Sequence, residues 1–179
     1  MLEPFTSRLM TEAELESISN VWRGDLPIPE ITLDPILDQS FAVNLAGYGS
    51  IYFLSLLDNA PPDRKSAFSH WLIEADRVRW ELPISDEVTP TTYIPHSLDA
   101  VVFTELNFDG LGDIYTIASY VTGVGQTGAI PFPVVTLYVQ QEDGSFVILE
   151  AESLEISSFG LTTVAEVEDV LRGEMNFLP

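Results

Sequence analysis

Between Glu105 and Asp113, oxygen-bearing side chains recur at alternate positions, at Glu105, Asn107 and Asp109, and again at Asp113. Gly110 directly follows the third of them, where a cation loop needs a sharp turn. Calcium takes about six to eight oxygen ligands, some from side chains and some from backbone carbonyls. Counted from Glu105 as position 1, side chains stand at positions 1, 3, 5 and 9, and the Leu111 carbonyl stands at position 7. The same residues also make a plain hairpin turn, since Asn-x-Asp-Gly between two hydrophobic runs lets Asn and Asp accept from their own backbone. Both readings, metal loop and turn, stay open at this stage.

The stretch resembles the Asp-x-Asx-x-Asp-Gly-x-x-Asp loops of FG-GAP-type β-repeats, and dockerin-like and EF-hand-like loops. The likeness covers about ten residues with their flanking strands. It implies a calcium site built from Glu105, Asn107, Asp109, Leu111 and Asp113. Position 1 is Glu rather than Asp, and position 12 is Thr116, so the bidentate glutamate of an EF-hand is missing. The resemblance therefore implies weak affinity, on the order of 10⁻⁴ to 10⁻³ M. Only one copy is visible, so the propeller fold of serial FG-GAP repeats does not carry over.

Other chemistry is sparse. There is no cysteine, which removes disulfides, thiolate catalysis and Cys-based zinc sites. Gly123, Gly125 and Gly128 have a G-x-G-x-x-G spacing, but Ala129-Ile130-Pro131-Phe132-Pro133 follows, and a dinucleotide site needs a helix to open there. A flexible loop between strands is expected instead, exposed and able to make contacts. The two histidines are read as a solvated surface residue, His70, and a loop residue, His96, near Ser97 and Asp99. A Ser-His-Asp triad there lacks any nucleophile-elbow sequence.

The charge balance is lopsided: 28 Asp and Glu against 7 Lys and Arg, a net charge of -21. Such a surface repels phosphate backbones and anionic lipid, so nucleic-acid and membrane partners are set aside. It suits cations and basic proteins. The start, Met1-Leu2-Glu3-Pro4, has neither the basic nor the apolar region of an export signal. The expected compartment is the cytoplasm, or the periplasm or exterior if a signal was removed. Nothing in the sequence sets the oligomeric state.

The elements that must position these residues follow from patterning. Thr11 with Glu14 forms a capping box, and Ala13, Leu15, Ile18, Val21 and Trp22 follow at roughly helical spacing, which predicts a helix near 12–22 ending at Gly24. Pro27, Pro29 and Pro35 predict an extended surface run, and Ser50 to Leu57 a buried strand. Pro61 and Pro62, with Asn59 as cap, open a second helix near 62–77 whose stripe is Ala67, Phe68, Trp71, Leu72, Ala75 and Val78. From Ala100 to Leu149, runs rich in Val, Ile, Phe, Tyr and Thr alternate with turn signals, which predicts an antiparallel meander. Thr163 with Glu166 caps a last helix near 164–172.

The expected fold is a single α+β domain of residues 1–179. It consists of a helical and irregular half over 1–99, a four- to five-stranded antiparallel sheet over 100–156, and a C-terminal helix over 157–179. The expected function is a non-enzymatic acidic interaction protein that binds a basic partner and carries a weak calcium loop. The alternative is a glycosidase-like hydrolase whose acidic catalytic residues cannot be picked out among 28 acids.

Overall fold

In the computed structural model, which describes residues 5–24, 32–59 and 66–178, two antiparallel sheets carry most of the chain and four α-helices accompany them, an α+β architecture. Two compact units divide it, Met1–Leu82 and Pro83–Pro179. Among the described residues no helix is long and apolar enough to cross a membrane.

The first unit holds strands β1 (Ser7–Leu9), β2 (Thr32–Pro35), β3 (Phe41–Leu45), β4 (Gly49–Asn59), β5 (Ala67–Glu74) and β6 (Arg77–Glu81), with helices α1 (Glu12–Ser17) and α2 (Ser19–Gly24). The sheet runs β1-β3-β4-β5-β6, and β2 pairs with the far half of β4. The anticipated strand over 50–57 is β4, one residue longer at its start and two at its end. The Thr11–Glu14 capping box forms as read, but the helix breaks at Ile18 into two short pieces. Ile18 and Trp22 from these helices pack with Leu54, Leu56, Trp71 and Ile73 of the sheet.

The expected helix near 62–77 is a correction. Residues 62–65 lie outside the described residues, as do Pro61 and most of the proline-marked run from 26; the rest forms β5 and β6, joined by a tight turn at Ala75 and Asp76. Asn59, read as a helix cap, is the last residue of β4. The physical reason is burial: from Phe68 to Ile73 every residue of β5 is buried, so both faces of the strand are turned away from solvent. A strand buried on both faces loses the polar alternation that distinguishes it from a buried helix.

The second unit holds the predicted meander: β7 (Ile94–Thr104), β8 (Asp113–Val121), β9 (Phe132–Gln140) and β10 (Phe146–Ile148), in the spatial order β10-β9-β8-β7. β8 and β9 are almost wholly buried. Tyr115 and Ile117 of β8 and Val135, Leu137 and Val139 of β9 form one core with residues of two helices, α3 (Glu150–Ser158) and α4 (Val164–Gly173). α4 begins at its predicted Thr163–Glu166 capping box.

α3 is the second correction, because the sheet was expected to continue to 156. β10 pairs only with the last three residues of β9, leaving the earlier outer edge of β9 without a strand. α3 closes it with hydroxyls: Leu137 N–H donates to Ser153 Oγ at 3.0 Å and Val135 N–H to Ser157 Oγ at 2.9 Å. The i, i+4 spacing on one helical face meets alternate amides on one strand edge. α3 has no clean apolar stripe, since Leu154 is exposed while Ser153 and Ile156 are buried, so its helical period is invisible in the apolar pattern.

Ser153→Ala should therefore leave the Leu137 amide buried and unsatisfied, lowering unfolding stability by about 1–3 kcal/mol. Urea denaturation checks this. A change within about 0.5 kcal/mol, as at an ordinary surface site, would show that the hydroxyl is dispensable.

Candidate functional site

The loop between β7 and β8 brings the five sequence-predicted residues into one turn and directs their oxygens inward onto backbone amides. Glu105 Oε1 accepts from Gly110 N–H at 2.6 Å. Asn107 Oδ1 accepts from Asp109 N–H at 3.3 Å, and Asn107 Nδ2 donates to Asp109 Oδ2 at 2.8 Å. Asp109 Oδ1 accepts from Leu111 N–H at 2.8 Å. Gly110 sits at φ +82° and Phe108 at φ +61°, so the backbone turns sharply where the glycine was expected to allow it. Asn107, Phe108 and Asp109 are exposed, Glu105 and Leu111 are half-buried, and Asp113 is fully buried.

Asp113 organises the base of this turn. Its Oδ2 accepts from Leu106 N–H at 2.7 Å and its Oδ1 from Gln140 N–H at 2.9 Å. Gln140 in turn accepts Gly112 N–H on its Oε1 at 2.9 Å. One carboxylate and one amide thus tie the start of β8, the loop and the end of β9 together. Burial pushes the Asp113 carboxyl up to about 6, against the opposing pull of the Leu106 and Gln140 amides, and the nearby Asp109 charge adds to the rise. Sequence reasoning missed Gln140: Gln140 and Gln141 adjoin at the end of an apolar run, and only the pairing register reveals which one turns inward.

The donors are of the hard-oxygen kind that calcium takes, yet each side-chain oxygen named above already serves an N–H or amide donor. Among the described residues no group of three or more His, Cys, Asp or Glu is placed to hold a metal ion.

The two histidines sit in very different places. His70, expected on the surface, is buried on β5 opposite Ser55 of β4. Its ring stacks on Phe53 at 5.3 Å and 20°, and burial lowers its pKa to about 4. Ser55 Oγ lies 3.1 Å from His70 Nδ1 and 2.6 Å from the Gln39 carbonyl oxygen. A carbonyl only accepts, so the single hydroxyl proton goes to Gln39 and His70 Nδ1 must carry its own proton. That polarity is the reverse of a nucleophile and its base, in which the hydroxyl donates to the imidazole. His96 is exposed, and Asp99 takes hydrogen bonds from Ser97 at 2.7 Å and Ser119 at 2.6 Å, which is a strand-pairing network.

In the first unit, a groove of about 610 Å³ runs over the sheet beside α1, with Arg8, Glu14, Asn44, Tyr52 and Ile73 in its walls. Arg8 holds Glu14 through two bonds of 2.8 and 2.5 Å, which with the Thr11 amide lowers the Glu14 carboxyl to about 2. Nothing in the spacing of these residues marks them in the sequence, because four strands and a helix contribute one each.

The chain matches no family model, and no curated protein or solved structure resembles it closely enough to count as a relative.

The Asp113 carboxyl binds its proton more tightly in the folded chain than at its ordinary value of 3.8. Its favourable contribution to stability is thus complete below about pH 4 and is lost as pH rises through about 6. Measured against Asp113→Asn, which cannot titrate, the wild-type protein should lose relative stability across that window in urea unfolding. A flat difference, or one of opposite slope, would show that the buried carboxyl does not carry this linkage.

Proposed function

We propose that the chain is a non-enzymatic interaction protein that captures a basic partner. The observation that carries this reading is the distribution of charge. Residues 83–179 contain fifteen Asp and Glu and a single basic side chain, Arg172, which itself lies 3.8 Å from Asp169. None of the C-terminal acids Glu150, Glu152, Glu155, Glu166, Glu168, Asp169 and Glu174 is buried. In the first unit Arg8 pairs with Glu14, and both Arg77 and Arg79 pair with Glu74. Four of the described arginines are thus matched to acids of this chain, and an acidic excess of this size accelerates encounter with positive surfaces and repels nucleic acid and anionic membranes.

The hydrolase alternative needs a carboxyl with raised protonation facing another across an open cleft. Asp113 has the raised protonation, but it is enclosed and both its oxygens accept amides. This favours binding over hydrolysis. Co-purification from the source cell, repeated at 0.05 and 0.5 M salt and followed by mass-spectrometric identification, tests the reading. A basic partner lost at high salt is expected, because screening shortens the field to a few ångströms. A neutral or acidic partner held equally at both salts would refute it.

A calcium loop remains a second reading, supported by the Asp109 charge acting on Asp113 across one turn. A divalent ion there would offset that repulsion. Millimolar calcium should raise the melting temperature, magnesium should do so less, and Asp109→Ala should abolish the effect. No response at several millimolar by thermal shift and calorimetry leaves the loop a turn only.

A further inference from the structure

From Ile114 to Gln141 no residue carries a charge, in a chain of net charge -21. Most of that stretch is the buried pair β8 and β9, but its middle is the exposed connection between them. There Val124 is 77% exposed and Ile130 61%, and Ile94, at the start of β7, is 48% exposed. Ile94 pairs with Val121, and its Cδ1 would lie 3.2 Å from a Cβ at Gly123, so all three aliphatic side chains gather at one end of the sheet.

The connection, expected as a loop between strands, carries hydrogen bonds of its own. Gly123 N–H donates to the Gly128 carbonyl at 2.8 Å, Gly128 N–H to the Gly125 carbonyl at 3.3 Å, and Ile130 N–H to the Thr127 carbonyl at 2.9 Å. Gly128 is buried so closely beneath Val124 that a Cβ on it would meet the Val124 amide nitrogen at 2.3 Å. Val124 is thus held outward on a preformed scaffold. Scattered exposed aliphatics need no explanation, but several gathered on an ordered, charge-free tip mark a contact surface.

We infer that this tip is the docking element, inserting Val124 and Ile130 into an apolar pocket on a basic protein, with Ile94 at the margin. The inference rests on the basic-partner reading and adds the surface to it. Charge complementarity selects the occupant. Fifteen acids and one arginine on the same unit oppose a second copy of this chain and an anionic lipid surface alike. A positive protein is drawn in, and an uncharged aliphatic centre then provides what the middle of an interface requires, namely desolvation without unpaired charge. The other exposed aliphatic and aromatic residues described in this unit, Ile84, Phe108, Val147, Leu154 and Phe159, each have an acid within four residues along the chain and lack that neutral setting.

Two synthetic peptides of equal positive charge test this by fluorescence anisotropy: an amphipathic Lys/Leu helix and a Lys/Ser peptide of the same length. The wild-type protein should bind both in a salt-sensitive way and prefer the Lys/Leu peptide by roughly tenfold, the equivalent of one partly buried aliphatic pair. Val124→Ser with Ile130→Ser, which alters no charge, should abolish the preference and leave Lys/Ser affinity unchanged. Leu154→Ser with Phe159→Ser should leave the preference intact. A preference that survives the tip substitutions, or is lost with the α3 pair, overturns the assignment of the tip while the basic-partner reading stands. Salt-sensitive binding of neither peptide overturns both. Tip-dependent binding to neutral phosphatidylcholine vesicles, or a tip-dependent dimer in sedimentation, overturns the proposal in favour of lipid or self-association.

Discussion

A buried carboxylate at the first residue of a strand holds the second unit in register. Asp113 accepts one amide from the preceding loop and one from the end of the neighbouring strand, and Gln140 returns an acceptor to the same loop. Without that exchange three backbone N–H groups would be buried without partners at the place where the meander turns, each at a cost of about 1–3 kcal/mol. The charge itself is not well solvated there, which is why its protonation is shifted upward. The position is bistable in a limited sense. The ionised form makes the better acceptor and the neutral form is better tolerated by the surroundings, so the balance falls within the mildly acidic range.

The same chemistry explains why a cation loop and a turn look alike in sequence. A calcium ion and a cluster of backbone N–H groups both present positive charge, and both are satisfied by closely spaced side-chain oxygens. Alternating Glu105, Asn107 and Asp109 with Gly110 therefore specify convergence of oxygens on something positive, and in the folded chain that something includes the amides of Asp109, Gly110 and Leu111. Spacing alone cannot separate the two, because it encodes where the oxygens point and not what meets them.

Elements with local signatures were legible in advance. Both capping boxes form, since each is a reciprocal pair of hydrogen bonds within four residues, and the meander follows from turn signals that act locally. Elements decided by distant partners were not. The strand over 67–74 carries its apolar residues at spacings a helix would also use, and only its central position, between β4 and β6, buries His70 and Ser69 and makes it a strand. Helix α3 is the converse. Its sequence has no amphipathic stripe because serine hydroxyls, not aliphatic groups, fasten its inner face to β9. The Ser55–His70 contact was illegible for the same reason, as two residues fifteen apart become neighbours only through strand register.

Charge segregation follows from these constraints rather than accompanying them. Strands buried on both faces cannot carry unpaired carboxylates, so β8 and β9 after Asp113 are charge-free, and the other acids of this unit lie in loops, on the helices and, at Asp99, on the exposed side of β7. A surface so weighted repels itself, which disfavours compaction and raises the burden on the core. The connection between β8 and β9 is under no such rule of burial, because it is exposed and charges there would be solvated at little cost. That it nonetheless stays neutral, aliphatic and hydrogen-bonded into a turn is not required by the core beneath it. The proposed docking of the tip on a partner supplies a reason for those residues that burial does not.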